Sequence, residues 1–301
     1  MRLLVASGRD FLPYRTRGAL RHRGGVNSRF PDQQTVQTAL SLAVRAPSAH
    51  NSQPWHWRVD AESLHLYAHR SRQLRATDPD DRDLLLSCGA ALHHCVVALA
   101  AVGWQATVHR FPEPANHHHL ARITVTPAPP SEADIRLVDA IGRRRTDRRH
   151  YGNAEVSPAD IALIGARVAR MGVTMRRIES IAQLNGLVEQ AISKHIGDAD
   201  YFTELTCRSE YYQFLALGTR DDDTTARLRA GEATSLVLLT ATALGLATCP
   251  ITEPLEVDET RAALREEFFD SREYPQMLIR IGWPAEQTEP LPATPRRPAL
   301  I

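Results

Sequence analysis

Apolar residues along this chain fall into two periods, one helical and one alternating, and their succession predicts the elements. From Asp32, a plausible N-cap, Val36, Leu40, Ala43 and Val44 recur at helical spacing until Ala46-Pro47 forces the backbone out of the helix. That helix delivers residues 47–55 as a loop. Trp55, Trp57 and Val59 then alternate, as do Leu64 and Leu66 beyond a short polar turn, the pattern of a hairpin with one buried face. Residues 83–102 predict a long apolar helix stopped at Gly103, and strands follow at 105–111 and 120–126. Pro-Ala-Pro-Pro-Ser at 127–131 is the clearest internal break. Beyond it, helices are expected at 131–142, 158–171, 180–196, 223–244 and 258–268, and strands at 173–178, 212–218, 246–250 and 275–281. Helices alternate with strands without a dinucleotide-binding glycine fingerprint, so the expected fold class is α+β, a sandwich around a mixed sheet.

The two sides of the break also match each other. LLLSCGAALHHCVVALAAVGWQAT (84–107) and ARLRAGEATSLVLLTATALGLATC (226–249) superpose at a constant offset of 142. The offset pairs Leu86 with Leu228, Gly89 with Gly231, Ala91 with Ala233, Ala101 with Ala243 and Gly103 with Gly245. The organisation expected is an arginine-rich disordered tail at 1–30, one half at 31–130 and a diverged second half at 131–301.

Composition narrows the partners. A chain of 301 residues with 43% hydrophobic side chains can bury a sizeable core. The 36 basic and 35 acidic residues nearly cancel, which removes any net pull towards nucleic acid, membrane or acidic polymer and favours a small ligand. Lys194 is the one lysine, so positive charge means arginine, whose planar fork binds phosphate bidentately. Cys88, Cys95, Cys207 and Cys249 lack zinc or redox spacing, which fits a reducing compartment, and Cys88 and Cys95 are expected to be small buried hydrophobes. No apolar run reaches the roughly 18 residues of a membrane span. Residues 1–30 carry seven arginines and one acid but no signal-peptide core, so the expected location is the cytoplasm. His117-His118-His119 is expected in a solvated loop, His93-His94 in helix packing, and Asp221-Asp222-Asp223 at a solvated helix N-terminus. No metal site, nucleophile or general acid stands out.

Between Ala46 and Trp55 the chain packs Pro47, Ser48, His50, Asn51, Ser52, Gln53 and Pro54. Two prolines stiffen a loop rich in hydroxyl and amide groups, which suits a polar heterocycle, or an ordinary capped turn. The pattern A-P-S-x-x-N-x-Q-P-W resembles the flavin-contacting loop of FMN-dependent nitroreductases. GRRRTDRRHY (142–151) is similar to that family's R-R-S-x-R signature, with five arginines in seven residues. ATCPITE (247–253) resembles the loop that lies over the isoalloxazine, and Pro295-Arg296-Arg297-Pro298 resembles its C-terminal basic pair. Together the motifs look most like the actinobacterial Acg-like branch and cover about 31–298.

The resemblance implies a nitroreductase-like α/β/α sandwich, with two fused, diverged copies imitating a homodimer, and an FMN cofactor. Carried over by position, Pro47, Ser48, Asn51 and Gln53 would contact the flavin from the first half. Arg144, Arg145, Thr146, Arg148, Pro250, Ile251, Thr252, Glu253, Arg296 and Arg297 would do so from the second, with Arg144, Arg296 and Arg297 on the phosphate and Arg148 at the pyrimidine edge. The implied activity is NAD(P)H-dependent reduction of nitroaromatic or quinone-type acceptors by a protein whose monomer completes the site. A flavin-storing protein with little turnover, or a flavin-free relic, stays open on sequence alone. The chain departs from the branch at about 200–218, where a longer segment covering the flavin is expected.

Overall fold

The structure, a computed structural model, describes residues 29–194, 212–286 and 288–299. The expected tail, Cys207 and most of the shortened flavin cover lie outside them. In the first half, β1 (Trp55–Val59), β2 (Ser63–Ala68), β3 (Trp104–Arg110) and β4 (His119–Pro127) form a sheet in the order β1-β2-β4-β3. In the second, β5 (Thr174–Ile178), β6 (Gln213–Thr219), β7 (Ala247–Ile251) and β8 (Tyr274–Gly282) repeat it as β5-β6-β8-β7. A 20-residue helix joins the second and third strands of each, α2 (Arg82–Ala101) and α6 (Thr224–Ala243).

Among the described residues every paired strand is antiparallel, which corrects the expected mixed sheet. The crossover helix does connect strands that point the same way, but β4 and β8 insert between them, so they never pair. Among the described residues the parallel contact is a single bridge, Thr146 to Thr248.

The remaining helices are α1 (Gln33–Ala43), α3 (Glu132–Arg143), α4 (Pro158–Ala169), α5 (Ile181–Lys194), the short α7 (Glu253–Glu256) and α8 (Asp258–Phe269). Local chemistry sets their ends. The Asp32 carboxylate accepts from the Thr35 N–H, and Ser131 and Asp134 close a capping box on α3. At α2 the capping group is displaced in sequence: Asp78 accepts the N–H groups of Asp83 and Leu84 at 2.9 and 2.8 Å. Gly103 and Gly245, at φ +91 and +90, end α2 and α6 at matching positions.

α2 and α6 pack on each other at the centre, with α1 against α2, α4 against α6 and α3 against both. Their contact is reciprocal: Leu86 of α2 packs in the second half's core, and Leu228 of α6 in the first half's. Val97 and Leu239, again 142 apart in the chain, meet under α3. This is what an isologous interface looks like when both copies lie on one chain. By length and composition α2 could cross a membrane, yet it lies almost wholly buried inside the fold. Helices cover both faces of the second sheet. Among the described residues the first sheet has its helices on one face, and β3 alternates between covered and open positions accordingly.

Two sequence expectations change. His119 is buried rather than solvated, bonded to His65 at 2.9 Å and near Glu113. Asp222 is drawn into a cluster; burial raises its pKa, but Arg227, Gln276 and Arg261 hold the carboxyl down at about 2. Asp223 is the cap of α6, and His93 and His94 both pack within the helix pair against Ser235.

The helix crossing is close because two glycines meet there. A Cβ on Gly89 would sit 2.1 Å from the Leu228 carbonyl oxygen, and one on Gly231 2.1 Å from that of Leu86. Gly89→Ala therefore forces backbones apart, and urea unfolding should show a loss of about 3 kcal/mol or more; a loss under about 1 kcal/mol would contradict the crossing. Burial also pushes the His93 imidazole down to about 4, against 6.5 for an ordinary histidine. The unfolded chain binds that proton first as pH falls, so stability present above pH 6.5 drains away between 6.5 and 4, by up to about 3 kcal/mol. Unfolding curves for His93→Gln should be flatter across that window than those of the parent.

Candidate functional site

The 47–54 loop is held in a conformation that its residues rarely adopt. His50, Asn51 and Gln53 all take left-handed backbone angles, with φ of +46, +54 and +52. Local bonds fix it: the Gln53 N–H donates to Ser48 Oγ at 3.0 Å, the Ala49 N–H to Ser87 Oγ at 3.2 Å, and Arg72 to the Gln53 carbonyl at 3.0 Å. The C-terminal tail then crosses from the second half and clamps the loop. Asn51 donates to the Pro295 carbonyl at 3.1 Å, Arg296 donates to Asn51 Oδ1 at 2.8 Å, and the Arg297 N–H donates to Gln53 Oε1 at 2.8 Å.

This loop forms one wall of an open cleft between the halves. The first half contributes Pro47, Ser48, His50, Asp83 and Ser87, and the second contributes Thr146, Arg148, Pro250, Thr252, Glu253 and Met277. Thr146 reaches the cleft because its segment zips onto β7, through the bridge to Thr248 and the Asp147 N–H donated to the Thr248 carbonyl at 2.9 Å. Arg280 supports the segment from behind, donating to the Asp147 and Arg149 carbonyls while its guanidinium lies 4.3 Å from the Tyr151 ring centre.

Beside the cleft, Arg45, Arg144, Arg145 and Arg296 line a narrow recess. Arg144 is only 4% exposed, and its buried Nε and Nη1 have no hydrogen-bond partner. Burial, followed by the charges of Arg296, Arg145 and Arg45, pulls its pKa down to about 9. Burial and Arg45 likewise lower Arg145 and Arg296. Among the described residues no carboxylate pairs with any of the four. Buried cations with spare donors and no anion are unfavourable unless a ligand supplies the anion. Planar, forked donors suit phosphate.

The structure thus brings Pro47, Ser48, Thr146, Arg148, Pro250, Thr252 and Glu253 to the cleft and Arg144, Arg145 and Arg296 to the recess. Asn51 sits beside the recess, bound to the tail. Three expected residues lie elsewhere. Ile251 points into the second half's core, because β7 alternates and its neighbour Pro250 takes the cleft side. The Gln53 side chain is buried and spent on Asn51 and Arg297. Arg297 projects to the opposite side of the extended tail from Arg296, into a separate cleft. Sequence reasoning missed Arg45, Asp83 and Ser87, and named His50 in the loop without giving it a contact. Arg45 is two residues before the Pro47 loop, a placement the motif itself signals, whereas Asp83 and Ser87 belong to an apolar helix whose facing could not be known.

No family model matches the chain. A Mycobacterium tuberculosis protein named "Putative NAD(P)H nitroreductase Rv3131" is 50% identical over 315 residues, covering 90% of this chain and 92% of that protein. The chain belongs to the nitroreductase family, in its Acg-like branch. A second protein of that organism, named "Putative NAD(P)H nitroreductase acg", is 35% identical, covering 87% of this chain and 93% of its own. A solved FMN-bound nitroreductase from Bacteroides fragilis overlays 53% of this chain and 94% of its own, at 19% identity and a TM-score of 0.42.

The recess can be tested with phosphate alone. Inorganic phosphate should raise the melting temperature of the ligand-free protein, and Arg144→Leu should clearly reduce that response while costing little stability of its own. A variant that is severely destabilised yet responds to phosphate as strongly as the parent would show Arg144 to be a structural cation instead.

Proposed function

We propose that this chain is an FMN-dependent NAD(P)H oxidoreductase, with one FMN per chain held between the halves, acting on nitroaromatic or quinone-type acceptors. The observation that carries this is the unneutralised arginine recess opening beside a cleft that both halves line. Arg144, Arg145, Arg296 and the unanticipated Arg45 would hold the phosphate. Ser48, Thr146 and Thr252 would offer hydrogen bonds along the ring system. Arg148 would favour negative charge at its pyrimidine edge. When bound, FMN supplies the hydride chemistry, accepting from a reduced nicotinamide and delivering to the acceptor. No protein nucleophile or general acid is required.

A single site per chain follows from how the halves differ. At the offset of 142, Ser87 and Ala90 of the cleft correspond to Arg229 and Glu232. Glu232 is buried and takes Arg110 in a bidentate pair at 2.7 and 2.8 Å, filling the mirrored position. We therefore assign the division at about residue 130 to two fused, diverged halves, and the competent unit to the monomer. Cys88, Cys95 and Cys249 are buried free thiols, which supports a reducing, cytoplasmic setting.

Titration of the apoprotein should saturate at about one FMN per chain. Arg296→Ala should weaken FMN far more than riboflavin, since each charge-assisted phosphate contact contributes about 1.5–3 kcal/mol. Equal losses for both ligands would remove the phosphate role from Arg296. Anaerobic NADPH or NADH should bleach the bound flavin; bleaching by dithionite alone would establish flavin storage in place of catalysis.

A further inference from the structure

The tail separates two basic surfaces, and the flavin reading uses only one. Arg296 faces the recess, while Arg297, its neighbour on an extended segment, faces a second cleft lined by Ser52, His69, Ser71, Arg72 and Gln73. Arg72 is fixed there by its bond to the Gln53 carbonyl at 3.0 Å. The acids nearby are already engaged. Asp81 pairs with Arg70, and Asp78 caps α2 through the N–H groups of Asp83 and Leu84. Among the described residues neither Arg72 nor Arg297 has a carboxylate partner. Burial and then Arg297 lower Arg72, and burial, Arg72, His56 and Arg297 lower His69, so the charges acting on both are like charges. Two guanidinium forks and the Ser52 hydroxyl, with His69 and Ser71 bonded to each other at 3.0 Å beside them, form around an open cleft a donor set suited to a phosphate group.

We propose that this second cleft binds a phosphate group, and that during turnover it is the 2′-phosphate of NADPH. The source rests on the oxidoreductase reading above. The same loop carries Ser48 on the flavin cleft and Ser52 on this one, so the two clefts share a wall that a dinucleotide would cross. The specificity implied is for NADPH over NADH.

Isothermal titration of the FMN-loaded protein with 2′,5′-ADP, with 5′-AMP and with inorganic pyrophosphate tests the site directly. We expect 2′,5′-ADP to bind at least tenfold more tightly than 5′-AMP. Arg297→Ala, which keeps the backbone N–H that Gln53 accepts, and Arg72→Ala should each weaken it at least tenfold. KM for NADPH should rise in Arg297→Ala with KM for NADH unaltered. Binding of pyrophosphate that depends on Arg72 and Arg297, without any NADPH preference, would keep the phosphate site and overturn the dinucleotide assignment. No binding of any probe, or binding indifferent to both substitutions, would overturn the site. The titration can be repeated on the flavin-free protein, so a failure of the flavin reading would show separately in the FMN titration.

Discussion

The backbone contact between Gly89 and Gly231 is the constraint from which the site follows. It lets α2 and α6 approach until main-chain atoms touch, and that spacing fixes how far apart the halves stand. Asp83, Leu86, Ser87 and Ala90 lie within two turns of Gly89 on α2, and Thr234 lies one turn from Gly231; all five line the cleft. A wider crossing would move the Ser48 loop away from Thr146 and Pro250. Packing at the centre and geometry at the cleft are therefore one quantity.

Electrostatics runs the other way, against the folded state. The fold brings four arginines together in the recess, one of them almost fully buried, although charge repulsion and lost hydration both oppose it. The loop beside them carries three residues in left-handed geometry. Such costs persist when surrounding structure over-determines them, and the surroundings here are the Ser87 hydroxyl, Arg72 and the returning tail. A ligand carrying the missing negative charge would bind to a site already organised for it, with little reordering left to do.

Much of this was legible in the sequence because it is encoded locally. Periodicity and caps placed the strands and long helices within a few residues, since Asp32, Ser131, Ser157 and Gly103 act on their own neighbours. Glycine spacing revealed the repeat, because a close helix crossing needs glycine on both sides. The mixed sheet was misjudged because periodicity records a strand and not its neighbour, and nothing local says that β4 inserts between β2 and β3. His119 was placed in solvent since its burial depends on His65, which is 54 residues away. The same reason explains Arg297 and Gln53: the motif gave their identities, but the side of the tail on which each falls is decided by long-range bonds. Ile251 shows the limit of carrying a motif over whole, since in a strand adjacent residues must part company.

Joining the halves in one chain permits asymmetry. In a pair of identical subunits every substitution appears twice, so a bidentate pair such as Arg110 with Glu232 would close both clefts or neither. Here position 90 can stay alanine while position 232 becomes a buried glutamate. One side is then free to become rigid scaffold, and stabilising changes can accumulate there without touching the chemistry on the other. The molecule keeps the mechanical benefit of two-fold packing while escaping its obligation to treat both sites alike.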